Sequence, residues 1–317
     1  QTIKPLKKAL IPAPVLGGFL LLIFLTVYKN IFDKELISTN LLEIITYHAL
    51  GIGFVAVGLT NNRKEKKATQ GSIIKSSFFT IGGYALQAIV GLIITITLFF
   101  IIGSWPASGV ILPMGFGQGP GQAFNWGLTY QNLTDATSAF GSFENGKDFG
   151  LSIAAMGFIA ASIGGVIYLN IQKHKGNQKM IKNSSTDYSE HLSLEDYESE
   201  GEIASSDSLD KATVQVGIVL VVYAVSFALL YLISFLCDKS GVGLLINTIK
   251  PLFWGFNFIF GVAVASIYKI IFKVLKKHNV IKKEYTNNYM MDRISGFAFD
   301  VMVVAAFGAI DLSAFFP

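Results

Sequence analysis

Long, almost uninterrupted apolar runs are the feature of this sequence that most restricts its fold. A bilayer core about 30 Å thick requires roughly 20 consecutive apolar residues per helix. Seven segments pass this filter: residues 11–28, 43–59, 73–102, 149–171, 214–236, 252–272 and 294–316. Over the 317 residues, 52% hydrophobic and only 15% charged side chains agree with this pattern. The sequence therefore predicts an all-α polytopic membrane protein with seven spans.

Lysine and arginine residues are sorted between alternate loops, which predicts how the spans are oriented. Basic clusters precede the first span and follow the second, fourth and sixth spans, and include Lys7, Arg63, Lys175 and Lys276. The loops between them carry nearly balanced charge. Because basic loops near span ends stay in the cytoplasm, residue 1 and the 173–212 loop are predicted to be cytoplasmic. The predicted location is the cell membrane, plasma or inner, with contact to membrane lipid.

One stretch between the third and fourth spans fits neither a regular helix nor a strand. The sequence PMGFGQGPGQAFNWG, residues 113–127, has five glycines and two prolines in fifteen positions. The charge pattern places both ends of residues 105–145 on the outer face, so the stretch must enter the membrane and return. Irregular backbone at membrane depth persists only when it packs in protein or faces a water-filled cavity. The sequence predicts a Gly-rich re-entrant loop at about 106–130, with a surface loop as the alternative.

The glycines and amides of this stretch are the candidate binding groups. Alternating glycines leave backbone amides and carbonyls open to a ligand, and we expect Gly117 and Gly119 to tolerate no side chain for that reason. Asp300 is the acid deepest within a predicted span, where a carboxylate needs a partner or a function, and we expect it to work across from residues 115–125. A purely structural role is the alternative for Asp300. The predicted substrate- and ion-binding residues are Gly115, Gly117, Gln118, Gly119, Gly121, Gln122, Asn125 and Asp300, with Na⁺ placed near Gly117, Gly119 and Asp300.

A polar segment separates two membrane parts of the chain. Residues 184–210 hold nine acids and eight serines and no Lys or Arg, a composition that cannot bury enough apolar surface to fold. The sequence therefore predicts a first membrane repeat at 1–172, a cytoplasmic, acidic, Ser-rich linker at 173–212, and a partial second repeat of three spans at 213–317. A regulatory phosphorylation or partner-binding role is the alternative for the linker.

Enzymatic chemistry finds little support in the sequence. It has no H-E-x-x-H or G-x-S-x-G motif, and its acids are concentrated in the linker. The net charge of +4 is distributed over the loops and indicates no nucleic-acid partner. We therefore expect no enzyme, with a membrane-embedded enzyme as the lesser alternative.

Several motifs together resemble the sodium/glutamate symporter family. KKALIPAPVLGGFLLL (7–22) is similar to the opening motif of that family, and FGQGPGQAF (116–124) falls on its Gly-Gly-His-Gly-Thr re-entrant loop. Three replacements distinguish this loop from the family pattern: Phe116, Gln118 and Pro120 stand for the first glycine, the histidine and the threonine. Further similar segments follow in the family's order, namely FVAVGL (54–59), LQAIVGL (86–92), GFIAASIGGVI (157–167) and DRISGFAFDVMVVAA (292–306).

This resemblance implies a fold and a function. The fold is an inverted-repeat secondary transporter with one re-entrant loop in each repeat, and the chain would be a fragment that lacks the first helix and the C-terminal helices with the second loop. The function is symport of Na⁺ with glutamate or a related small organic anion by alternating access, with Na⁺ as coupling ion, no cofactor, and a homodimer as the implied assembly. A proton-coupled carrier or a channel for another small organic anion is the alternative.

Overall fold

A computed structural model describes residues 12–61, 70–133, 138–174, 211–281 and 285–311, and these residues form helices and connecting turns with no strand. Residue 1 and most of the predicted 173–212 linker lie outside the described residues. The remaining parts of that linker belong to helices, because residues 173–174 end one helix and residues 211–212 begin the next. The prediction of an all-α protein is confirmed.

Each helix except α4, which lies in the predicted re-entrant loop, overlaps a predicted apolar run. In chain order they are α1 (Ala13–Phe32), α2 (Thr39–Leu59), α3 (Gln70–Ile102), α4 (Pro120–Gln131), α5 (Gly146–His174), α6 (Lys211–Ser240), α7 (Lys250–Gly255), α8 (Asn257–Lys277) and α9 (Asn288–Gly308).

Five segments are long and apolar enough to cross a membrane: Ala13–Phe32, Thr39–Leu59, Ile74–Ile102, Ala212–Ser240 and Asn257–Lys277. The helices at the other two predicted spans, α5 and α9, are not among them. In α9 the physical reason is visible, because its 21 residues include three charged ones, Asp292, Arg293 and Asp300, which are costly inside a bilayer. The prediction of seven spans is therefore supported for five, and it remains a prediction for α5 and α9.

Two predicted boundaries are wrong. The predicted span 252–272 is interrupted, since α7 ends at Gly255 and α8 begins at Asn257. The predicted span 294–316 is displaced toward the N-terminus, because α9 begins at Asn288, where the Asn287 side chain accepts a hydrogen bond from the Met290 N–H at 2.9 Å. Such a cap fixes the start of a helix independently of where the apolar run begins.

Helix α2 lies at the centre of the bundle and packs on both α8 and α9. Its glycines allow this close packing, since a Cβ at Gly53 would lie 2.6 Å from Phe299 Cε1 and one at Gly58 would lie 2.9 Å from Ala265 Cβ. The two predicted membrane repeats therefore interlock through α2.

Side-chain amides tie both the end of α2 and the start of α6 to the start of α9. The Gln215 Nε2 donates to the Tyr285 carbonyl at 2.5 Å, and the Gln215 Oε1 accepts from the Asn287 N–H at 3.0 Å. The Asn61 N–H donates to Asn288 Oδ1 at 2.7 Å, and Asn288 Nδ2 donates to the Asn61 carbonyl at 3.2 Å. We call Asn61, Gln215, Asn287 and Asn288 the amide latch.

Candidate functional site

The Gly-rich segment folds as a helical hairpin over residues 106–131. Its first arm consists of a 3₁₀ turn, one α-helical turn and a short π-helix: Pro106–Val110, Ile111–Pro113 and Met114–Gln118. The chain breaks at Gly119 and returns as α4. The two ends meet, because the Trp105 ring lies 4.8 Å from that of Tyr130 and 5.2 Å from that of Phe143, centroid to centroid.

The first arm of the hairpin packs antiparallel to α3. Near its base, Thr95 Oγ1 donates to the Pro106 carbonyl at 2.6 Å, and near its tip the Tyr84 hydroxyl donates to the Gly117 carbonyl at 3.1 Å. At a rise of 1.5 Å per residue, the α3 positions of these contacts are about 16 Å apart. The hairpin therefore extends along α3 by roughly half of a bilayer core about 30 Å thick.

Two glycines at the hairpin tip are required for different reasons. A Cβ at Gly117 would overlap the Tyr84 ring. Gly119 has open space where its Cβ would be, but its φ of +92° with ψ of −176° is a conformation that side chains strongly disfavour. We expected both glycines to keep space free for a ligand. The structure gives other reasons for glycine at these positions: a tertiary contact at Gly117 and a backbone constraint at Gly119.

The other predicted glycines serve helix packing. A Cβ at Gly115 would lie 2.7 Å from Ile153 Cγ2 of α5. A Cβ at Gly121 would lie 2.8 Å from Leu50 Cδ1 of α2 and 2.8 Å from Met302 Sδ of α9. Both glycines are buried, whereas Gln118 at the tip is exposed. These contacts hold the hairpin against α2, α5 and α9.

A second helix interruption faces the hairpin. Between α7 and α8, Phe256 has φ of −104° and ψ of 31°, which ends one helix and starts the next. Side chains from other helices satisfy the carbonyls at this point: the Tyr47 hydroxyl donates to the Trp254 carbonyl at 2.8 Å, and Asn125 Nδ2 donates to the Gly255 carbonyl at 2.8 Å. Sequence reasoning missed this break, although Gly255 and a polar Asn257 within an apolar run were a signal for it.

Tyr47 of α2, Asn125 of α4 and Asn257 of α8 make hydrogen bonds at or beside this break, and Gln122 lies one turn before Asn125 on α4; we call these four residues the amide junction. Asn257 Nδ2 donates to the Tyr47 carbonyl at 3.3 Å, within the α2 turn that also contacts Gly121 through Leu50. Gln122 therefore lies level with Asn257 along α2.

The orientation of Gln122 follows from its position on α4. At about 100° per residue, Gln122 falls between Trp126 and Thr129 on the helix surface. Both of these neighbours face the interruption, since the Trp126 ring lies 5.7 Å from that of Phe256 and Thr129 Oγ1 would lie 3.4 Å from a Cβ at Gly255. Gln122 thus shares the face of α4 that is turned to the α7–α8 break.

The amide junction contains buried polar atoms with no partner among the described residues. Gln122 is 2% exposed, and neither its Nε2 nor its Oε1 has a hydrogen-bond partner there. Asn257 is 1% exposed, and its Oδ1 is likewise unpaired. Buried polar groups in proteins are nearly always paired, so each exception indicates either strain or a ligand.

Aromatic rings of α2, α8 and α9 pack together in the same part of the bundle. The Phe54 ring lies 4.9 Å from that of Phe258 and 5.4 Å from that of Phe299. None of the residues that we place at the junction or beside it carries a charge. Its chemistry is that of amide groups, a phenol and helix-break carbonyls in an apolar surrounding.

Asp300 lies elsewhere. Its side chain is exposed, and Met302, the α9 residue that contacts the hairpin at Gly121, is about 200° further round the helix. Gly296, on the Asp300 face, has no atom within 4 Å of its Cβ position. The structure does not bring Asp300 against residues 115–125, which corrects the expected geometry.

Charged residues concentrate near the base of the hairpin. Lys147 Nζ donates to Glu43 Oε1 at 2.5 Å, and the Asp311 N–H donates to Asp148 Oδ1 at 3.1 Å. Asp148, just before the apolar run of α5, is 3% exposed. Burial raises the pKa of the Asp148 carboxyl, against the opposing effects of the Asp311 N–H and Lys147. No group of His, Cys, Asp and Glu among the described residues is arranged to hold a metal ion.

Comparison of the chain with protein-family models, with curated proteins and with solved structures finds no match. Its function is therefore inferred from the hairpin, the helix interruption and the amide junction.

Proposed function

We propose that the protein is a sodium-coupled secondary transporter of glutamate or a related small organic anion, and that it works by alternating access. The observation that carries this proposal is the meeting of two interrupted helices, the hairpin that breaks at Gly119 and the α7–α8 pair that breaks at Phe256. Asn125 joins them through its hydrogen bond to the Gly255 carbonyl. Secondary transporters build their ion and solute sites from discontinuous helices that face each other.

The depth of this meeting point supports the proposal. The junction lies beside residues 47–51 of α2, which are the middle of a helix that is long and apolar enough to cross a membrane. Solute sites of secondary transporters lie near the bilayer midplane. The meeting of the hairpin's two ends and its reach of about 16 Å along α3 also fit a re-entrant loop.

A proton-coupled carrier is the second candidate, and one observation favours it. His48 Nδ1 lies 2.7 Å from the Tyr223 hydroxyl, one residue after Tyr47 in the same turn of α2. A histidine is the side chain that most readily exchanges protons near neutral pH. In this alternative, protons replace Na⁺ as the coupling ion.

Uptake measurements test the proposal. The protein, expressed from its full reading frame and reconstituted in liposomes, should accumulate radiolabelled glutamate or an amide relative in a saturable manner when an inward Na⁺ gradient is imposed. The control is the same measurement with an inward K⁺ gradient instead of the Na⁺ gradient. Accumulation that follows only a pH gradient would favour the proton-coupled carrier, and single-channel currents would favour a channel.

A pair of glycine variants links uptake to the hairpin. Gly119→Ala places a side chain at φ +92°, a conformation that costs about 1–3 kcal/mol, and should reduce uptake at least tenfold. Gly82→Ala is the matched control, because no atom lies within 4 Å of that Cβ position on α3. Equal uptake by the two variants would contradict a role of the hairpin tip.

A further inference from the structure

We infer that the group of the solute that enters the amide junction is uncharged and carries both a hydrogen-bond donor and an acceptor, as a primary carboxamide does. The inference rests on the carrier part of the proposed function and changes its solute. It assigns glutamine or asparagine, which carry no net charge near neutral pH, in place of glutamate or another organic anion.

The unpaired groups of Gln122 are the first reason. Its Nε2 carries two hydrogens and its Oε1 two lone pairs, and neither atom has a partner among the described residues. With 2% of the residue exposed, bulk water does not replace those partners. A solute that forms hydrogen bonds with both atoms removes the free-energy cost of burying them unpaired.

Asn257 adds one acceptor and one further N–H. Its Nδ2 already donates to the Tyr47 carbonyl at 3.3 Å, whereas its Oδ1 is unpaired in the described part of the chain. The groups of the junction left for a solute are therefore the Gln122 NH₂, the Asn257 N–H that its bond to Tyr47 does not use, and two carbonyl oxygens. A solute group must offer N–H or O–H to the oxygens and an oxygen to the NH₂.

This balance separates three kinds of solute group. A carboxylate is an acceptor only, so it would pair with Gln122 Nε2 but would face the two unpaired oxygens with its own charge. An ammonium is a donor only and leaves the NH₂ unpaired. A primary carboxamide offers both kinds of group and can pair with the Gln122 amide side by side.

Charge leads to the same result. None of the residues described at the junction is basic, and the nearby cation Lys147 is bound to Glu43 at the base of the hairpin. A carboxylate buried without a cation is costly, whereas a neutral amide with its hydrogen bonds made is not. The solute's own α-carboxylate must therefore lie outside the junction.

Ligand-dependent thermal stability of the purified full-length protein tests this inference without any transport. Wild-type protein should be stabilised by L-glutamine or L-asparagine at concentrations at least tenfold lower than by L-glutamate. Gln122→Met, which keeps the size of the side chain and removes both polar atoms, should abolish this preference. Gln215→Met is the matched control: Gln215 is 1% exposed and fully paired in the amide latch, so this variant should melt earlier and keep the preference.

Several results would overturn the inference. They are equal stabilisation of wild-type protein by glutamate and glutamine, no stabilisation by any of the three amino acids up to 10 mM, and an unchanged preference in Gln122→Met. Stabilisation by NaCl over KCl that is lost in Gln122→Met, with amino-acid preference unchanged, would assign the junction to a cation instead.

Binding and transport measurements distinguish failure of this inference from failure of the proposed function. Glutamine binding without Na⁺-driven uptake would contradict the proposed function and leave the inference standing. Na⁺-driven uptake of glutamate that glutamine does not inhibit would support the proposed function and overturn the inference.

Discussion

The amide latch and the amide junction are two groups of buried side-chain amides that differ in how completely they are paired. In the latch, Gln215 uses both its oxygen and its nitrogen, each on a backbone group near the start of α9. In the junction, Gln122 uses neither within the described residues. The two glutamines are almost equally buried, at 1% and 2% exposure, so burial alone does not explain the difference.

The difference follows from what each amide can reach. The latch lies beside residues 285–287, which are not helical and whose backbone groups need side-chain partners. At the junction the open carbonyls of the α7–α8 break, those of Trp254 and Gly255, are already bound by Tyr47 and Asn125, which leaves Gln122 without a backbone partner. A fully paired network fixes a unique arrangement, and a partly paired one is costly until something completes it. The latch is therefore paired within the protein, whereas the junction keeps unpaired groups that the proposed solute would complete.

The largest effect that would sharpen this comparison is expected at Gln215. Gln215→Met leaves the Tyr285 carbonyl and the Asn287 N–H without these partners, and each buried group left unpaired costs about 1–3 kcal/mol. The apparent melting temperature of the purified protein should fall clearly, measured by tryptophan fluorescence. A melting temperature equal to that of the wild type would remove the structural role assigned to the latch.

Replacing Gln122 by methionine should not lower the stability of the protein, in contrast to the same substitution at Gln215. Gln122→Met removes two buried atoms that have no described partner, so in the absence of solute it should leave stability unchanged or raise it by up to about 1–3 kcal/mol. A fall as large as that of Gln215→Met would mean that Gln122 is paired in the free protein and would break the comparison.

Substitution of Asn125 should change stability by an amount between those expected for Gln215 and Gln122. Asn125→Leu removes the single hydrogen bond to the Gly255 carbonyl, a loss of about 0.5–1.5 kcal/mol. The thermal melt should shift slightly, while proteolysis within residues 106–131 should become faster because the hairpin loses its bond to the helix break. Unchanged proteolysis would show that the packing at Gly115 and Gly121 and the hydrogen bonds to α3 hold the hairpin without Asn125.

The smallest effect is expected from the buried carboxylate near the base of the hairpin. The pKa of Asp148 is raised on folding, so the folded state binds its proton more tightly, and stability falls as pH rises from the unfolded pKa of about 3.9 through the higher folded pKa. Asp148→Asn should therefore gain stability over wild type at pH 8, and the difference should vanish below pH 4. A constant difference across thermal melts from pH 4 to pH 8 would contradict this assignment.

Sequence patterns predicted the elements better than their contacts. Apolar length located the helices, and glycine and proline content located the hairpin, because both properties depend on the local chain. The break at Phe256 depends on Tyr47 and Asn125, which bind the carbonyls of Trp254 and Gly255 from distant parts of the sequence. Local composition does not contain that information.

The sequence also did not predict which face of an apolar helix is buried against the rest of the protein. Asp300 lies within α9 as expected, but an apolar helix has no polar stripe that would identify its buried side, and the packing of Met302 against Gly121 turns Asp300 away. Gln122 was predicted as a binding residue, but its lack of partners emerged only from the positions of α2 and α8.

The length of α3 links the hairpin to the thickness of the lipid bilayer. Its apolar part, Ile74–Ile102, has 29 residues, about 44 Å at 1.5 Å per residue, against a hydrocarbon core of about 30 Å. A helix that exceeds the bilayer by this much tilts or deforms the surrounding lipid. The first arm of the hairpin is bound to α3 at Thr95 and Tyr84, whereas Gly115 and Gly121 pack on α2, α5 and α9. In a bilayer, a change in lipid thickness that altered the tilt of α3 would therefore act on the hairpin through those two hydrogen bonds.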